Sequence, residues 1–235
     1  MGFTISDDVE LERLLEGLAK DIIDAHVHYK MHNDLIEALN DAPVVARESN
    51  NFWHMTISAH IRLSQAMMTR AYDQEHQSLH LRSWLMVIRE NPEMFSEANF
   101  RRRMKDNPFV DSLAAKRRIP DPEQLEMDIA LCSASDPLVK ILIRHRNSQG
   151  AHRSGKLTAE GKKINDIFPL TYKDFDVLLA RALGILHRYS TLFVATSYST
   201  NVVGREDFQS IFVAVQEKDA RITAEMKALQ DSLPP

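Results

Sequence analysis

From Val9 to about Asn40, the apolar residues Leu11, Leu14, Leu15, Leu18, Ile22, Ala25 and Tyr29 recur at spacings of three and four. That spacing places them on one face of a long helix. Ser6-Asp7-Asp8 supplies a start signal and Asp41-Ala42-Pro43 an interruption. A second long helix is predicted from about Asn51 to Tyr72, with Phe52, Met55, Ala59, Leu63, Ala66 and Met67 as its apolar stripe and Ile57 and Ile61 beside it. After the polar turn Asp73–Gln77, Ser78 is expected to cap a shorter helix that ends near Glu90. Pro92 suits the first turn of the next one, running to about Lys105. Further helices are expected from Pro122 to Ala134 and from Ser135-Asp136-Pro137 to Ser154-Gly155. Thr171 and Asp174 form a capping box for a helix reaching about Thr196. Arg205 to Leu233 reads as a last amphipathic helix. Strand-like alternation is almost absent, so the pattern predicts an all-α bundle of about seven or eight helices. No linker or repeat divides residues 1–235, which are read as a single domain. Its core spans about residues 10–195, and the C-terminal helix covers about 205–233.

Composition keeps this picture and narrows it. A 44% hydrophobic and 26% charged chain is globular rather than disordered. Its one cysteine, Cys132, excludes an intrachain disulfide framework and a cysteine-based zinc site, and its apolar setting, Ile129-Ala130-Leu131-Cys132, marks it as a buried small side chain. No apolar run approaches the roughly 18 residues of a membrane span, and the N-terminus lacks the basic and apolar regions of a secretory signal. A cytoplasmic protein without membrane contact is expected. The net charge of −4 is mild, but it is unevenly spread. The first fifty residues are acidic, whereas Arg101–Arg118 is basic and Lys140–Lys156 holds no Asp or Glu. A local positive surface of this kind suits a polyanion, and the plain alternative is a solvated face balanced by the acidic half.

The segment from Arg144 to Arg153, RHRNSQGAHR, concentrates the candidate chemistry. Leu138, Ile141, Leu142 and His145 share one face of its helix, and the same stripe continues to Gln149 and His152. An apolar face that turns polar leaves the core for a cleft or an interface. The alternative is that the histidines are satisfied at the core boundary and the arginines are solvated. Within the segment, Arg146-Asn147 and Ala151-His152 resemble the Arg-x5-His motif of HEPN proteins, the higher eukaryotes and prokaryotes nucleotide-binding domain. Asp21–Tyr29, and more closely Ile61–Phe95 with its Tyr72-Asp73 pair at a helix end, resemble the abortive-infection Abi-U branch. The likeness covers roughly residues 10–195, and its centre, Ser148-Gln149-Gly150, is more polar than the apolar filling usual there.

The resemblance implies a HEPN-like helical fold, a homodimer and a metal-independent endoribonuclease with no cofactor and no metal. In that chemistry His152 is the acid/base, Arg146 the phosphate clamp and Asn147 a positioning donor. RNA supplies its own nucleophile, the 2′-hydroxyl. On a regular helix six residues separate Arg146 and His152 by about 120° and about 9 Å of rise, so either the helix distorts or two chains share one site. A neutralising protein partner is a further expectation. The rival reading is a catalytically silent dimer that binds a nucleotide, an RNA or a protein. Arg144 and Arg153, Arg101, Arg102 and Arg103, and Lys116, Arg117 and Arg118 are candidate RNA contacts, with Phe100 and Phe109 as stacking faces. Asp24, His28 and His32 lie at i, i+4 and i+8, but a straight row of about 12 Å cannot close on one ion, so packing or surface roles are expected. Trp53 and Trp84 are assigned to packing.

Overall fold

The structure is a computed structural model and describes residues 4–147 and 155–232. Among these there is no strand. Twelve α-helices and one 3-10 turn follow one another: α1 Asp8–Asp41, α2 Pro43–Glu48, α3 Asn50–Ala71, α4 Leu81–Glu90, the 3-10 turn Pro92–Phe95, α5 Glu97–Arg103, α6 Val110–Ala114, α7 Pro122–Leu131, α8 Pro137–His145, α9 Gly155–Ala159, α10 Ile164–Ile167, α11 Tyr172–Val194 and α12 Phe208–Ser232. The surplus over seven or eight consists of short pieces. The single helix expected from Pro92 to Lys105 is divided because Ser96 takes an extended conformation and its side chain caps α5 by accepting the Asn99 N–H. Asp121 and Asp136 cap α7 and α8, each followed by a first-turn proline. Thr171 and Asp174 form the reciprocal capping box of α11. The α4 cap is His80, not Ser78: its Nδ1 accepts the Ser83 N–H at 3.1 Å.

The chain forms two compact units. One comprises the chain up to His26 with Gln65–Ser199, and the other Val27–Ser64 with the residues from Thr200 on. In the first, α11 buries Phe175, Leu178, Leu179, Ala182, Ile185, Leu186, Tyr189 and Phe193. Leu11, Leu15, Leu18 and Ile22 of α1 are buried there too, as expected. α4 packs on α7 and presents Trp84, which meets the Tyr189 ring edge-on at 5.9 Å between centroids. Asp128 of α7 is buried and accepts bonds from the Tyr189 hydroxyl, the Arg188 guanidinium and the Gln124 amide. Cys132, at the C-terminal end of α7, is fully buried. By length and composition alone α11 is the one helix among the described residues that could cross a membrane. Its apolar side chains are those of a core helix.

In the second unit Leu35, Ala42, Val45, Trp53 and Phe212 make a small core, flanked by Met31, Ala38, Leu39, Ile57, Phe208 and Val215. Here the predicted stripe of α3 is wrong in phase. Phe52, Met55 and Leu63 are exposed, at 58%, 71% and 44%, while Trp53 and Ser64 face inward. α3 carries apolar residues on more than one side, and it is the Trp53 side that meets Phe212 and the small core.

Candidate functional site

The geometry centres on Arg146 and lies within the first unit. α8 ends at His145, and Arg146-Asn147 widens into a π-type turn, so the helix departs from regular geometry before Gly150 is reached. The approach to this turn is pinned from the α10 side. His145 Nε2 lies 2.6 Å from the Phe168 carbonyl, and the Arg144 guanidinium stacks over the Phe168 ring at 3.8 Å. His145 is therefore a satisfied boundary histidine, the plainer of the two readings.

Arg146 Nη1 donates to Asp73 Oδ1 at 2.6 Å. Asp73 sits just past the end of α3, where the Tyr72 and Asp73 N–H groups close the helix onto Met68 and Arg70. The Tyr72 ring is fully buried and its hydroxyl donates to the Leu178 carbonyl, 3.0 Å away. Burial pushes the Tyr72 phenol well above its ordinary value, so it stays a donor. Asp73 Oδ1 also accepts the N–H groups of Gln74 and Glu75. The Gln74 side chain donates to the Cys132 carbonyl and accepts the Ala134 N–H, which ties the turn to the end of α7. A carboxylate held this firmly fixes one edge of the Arg146 fork. The Arg146 side chain remains 36% exposed against 11% for Asp73, and a guanidinium carries more N–H donors than this one bond uses.

Asn147 is exposed next to Arg146. The other half of the motif, His152, lies outside the described residues, as does Arg153. The remaining candidates divide by burial. Arg103 is inside the fold: it donates to the Met94 and Phe193 carbonyls, pairs with Asp8 at 3.2 Å and stacks on Phe193. Arg118 is buried over the Phe100 ring and donates to the Leu113 and Thr191 carbonyls. Burial thus corrects the assignment of Arg103 and Arg118 as RNA contacts and of Phe100 as a stacking face. Arg101 pairs with Glu97 and Asp111, and Arg102 with Asp8. Lys116 and Arg117 are exposed and line a shallow cavity of about 350 Å³ with Phe95, Glu97 and Ile119, and Phe109 is 68% exposed.

Among the described residues no group of three His, Cys, Asp or Glu side chains is placed to hold a metal ion. The row Asp24, His28, His32 is split among other partners. Asp24 pairs with Lys20, His32 Nδ1 faces the Ile57 carbonyl, and His28 Nδ1 lies 2.8 Å from His60 Nδ1. That last contact needs one ring as donor and one as acceptor. Burial first, then the neighbouring His28 and His32, lower the His60 pKa, and burial also lowers those of His26 and His80. Above the unfolded value, about pH 6.5, such rings are neutral in both states. As the pH falls through that value the unfolded chain takes up protons first, so stability is lost on the acid side. The melting temperature should therefore drop between pH 7.5 and pH 5, and His60→Gln should reduce the drop. An unchanged slope in that variant would show that the His28–His60 contact contributes nothing.

A family model for AbiU2 proteins of the HEPN type matches residues 8–211 of the 235. The chain belongs to the AbiU2 HEPN family. Searches of curated proteins and of solved structures gave no match. The AbiU2 match spans both ends of the Arg146–Asp73 pair and the whole Arg146–His152 segment. Sequence reasoning had noted Tyr72-Asp73 for its likeness to this family but gave Asp73 no role. A carboxylate directly after a helix end, in a turn rich in polar residues, was the available signal.

Proposed function

We propose that this AbiU2 HEPN protein is a metal-independent endoribonuclease of a phage-defence, abortive-infection or toxin–antitoxin system. The RNA 2′-oxygen forms a bond to the adjacent phosphorus, the bond to the 5′-oxygen breaks, and a 2′,3′-cyclic phosphate remains. One group accepts the 2′-hydroxyl proton and another protonates the leaving oxygen, tasks that suit the His152 imidazole near neutral pH. Arg146 neutralises charge building on the phosphate oxygens, and Asn147 donates a positioning hydrogen bond. The observation that carries this reading is Arg146 paired at 2.6 Å with a largely buried Asp73 while its own side chain stays 36% exposed. Asp73 is a positioning residue in this scheme. Two chains related by a two-fold axis would bring two Arg-His pairs to one cleft and supply both proton-transfer groups. The protein then acts as a cytoplasmic homodimer on RNA, under the control of a neutralising protein partner.

The test is RNA cleavage in excess EDTA by wild type beside His152→Ala. Wild type should release 2′,3′-cyclic phosphate ends, and the variant should be slower by about 10²-fold or more. Equal cleavage by both would place the chemistry elsewhere. No cleavage by wild type across several RNAs would favour a catalytically silent dimer that binds nucleotide, RNA or protein.

A further inference from the structure

The shallow cavity of about 350 Å³ lies where the end of the 3-10 turn and the start of α5 meet the loop after α6. Its size is at the lower end of the range of small-ligand sites, about 300–1,000 Å³. Phe95, Ala114, Ala115 and Ile119 give it an apolar part. Its charged lining sets one acid, Glu97, against three successive cations, Lys116, Arg117 and Arg118. The acid is already engaged, because it accepts from Arg101 Nε at 2.8 Å. The cations are not matched in this way. The exposed Lys116 side chain pairs with no carboxylate among the described residues. Arg117 is exposed too, and its one carboxylate partner among them is Asp121 at 3.8 Å. Arg118 separates a built site from a solvated basic loop, which would leave its third cation in water. Its guanidinium is buried over the Phe100 ring and donates to the Leu113 and Thr191 carbonyls. Those carbonyls, in the last turns of α6 and α11, satisfy N–H groups and offset part of the charge. No carboxylate pairs with Arg118 among the described residues, and a buried ion without a countercharge is costly. An anion in the cavity that Arg118 lines would supply the missing charge. The backbone N–H groups of Arg117, Arg118 and Ile119 also make no hydrogen bond among the described residues, so the same loop holds main-chain donors.

We infer that this cavity binds a phosphomonoester carrying a small apolar group, with the phosphate on Lys116 and Arg117 and the apolar group against Ile119 and Ala114. Two exposed cations beside a buried third suit a dianion better than a singly charged carboxylate, and the Arg117 fork matches phosphate oxygens. The inference does not depend on the ribonuclease reading. The same chemistry is offered by a free small phosphate ester and by the 5′-phosphate end of an RNA.

The probes are phenyl phosphate, benzoate and inorganic phosphate, titrated into the full chain by calorimetry. Phenyl phosphate should bind wild type most tightly of the three. The double variant Lys116→Gln, Arg117→Gln should lose about tenfold or more of that affinity. Lys105→Gln, which removes an exposed cation of the same basic stretch outside the cavity, should lose none. Ile119→Ser should weaken phenyl phosphate about fivefold and leave inorganic phosphate unchanged. These side chains are exposed, so without ligand the variants should melt with wild type, which separates lost binding from lost folding. The inference is overturned if phenyl phosphate does not bind wild type, if the double variant binds it as tightly, or if benzoate or inorganic phosphate binds equally well. A 2′-O-methyl oligonucleotide with a 5′-phosphate, compared by anisotropy with its 5′-hydroxyl counterpart, tells the two sources apart. Preference for the phosphorylated end would make an RNA terminus the occupant. No preference, with phenyl phosphate bound, would make it a free small molecule.

Discussion

Arg146→Ala should slow RNA cleavage by about 10²- to 10³-fold, the usual cost of removing one preorganised donor to a charge that grows in the transition state. The loss should appear mainly in kcat, because the interaction strengthens as phosphate charge builds. Arg146→Lys should recover little, since a point charge cannot bond Asp73 and a phosphate oxygen through one rigid plane. Asp73→Asn tests the positioning. It can still accept through its amide oxygen, but it no longer pairs a full charge with Arg146, and a smaller loss of about tenfold is expected. The fold should survive Arg146→Ala, because a partly exposed pair contributes only about 1 kcal/mol. Cleavage by Arg146→Ala at the wild-type rate would remove this residue from the mechanism.

Trp84→Ala should be the most damaging of the core changes. Trp84 is 1% exposed on α4 and its ring meets Tyr189 of α11 edge-on. Truncation to alanine should cost about 3–5 kcal/mol, from lost transfer free energy and the cavity left behind. Trp84→Phe should be far milder, because the indole N–H has no hydrogen-bond acceptor among the described residues and the phenyl ring keeps part of the aromatic contact. Denaturant melts of the two variants check this: equal losses would mean that the indole nitrogen contributes in a way the buried geometry does not account for.

The long elements were legible because single faces repeat at helical spacing. α1 buries Leu11, Leu15, Leu18 and Ile22 as its pattern required, and Asp136-Pro137 opened α8 at the expected residue. α3 was misread because its apolar residues wrap around the helix, so periodicity could not choose between the Phe52 face and the Trp53 face. The division at Ser96 was hidden because a lone serine signals a cap only weakly without its backbone angles. Arg146 stood out through the acid-free composition around it. Asp73 did not, since it is 73 residues distant in the chain and meets Arg146 only when α3 and α8 end side by side. Arg103 and Arg118 looked like surface cations because sequence counts charge, while the carbonyls and rings that absorb that charge appear only on folding.

The single thiol of this chain has a use beyond packing. Cys132 is sealed at the end of α7, and burial, with Asp128 nearby, pushes its pKa well up, so the folded protein offers an alkylating reagent almost no thiolate. Each labelling event must wait for the α7 end to open. Timed exposure to iodoacetamide, read by intact mass, therefore serves as a one-residue clock of local opening beneath the Asp73 turn, with no other sulfhydryl to blur it.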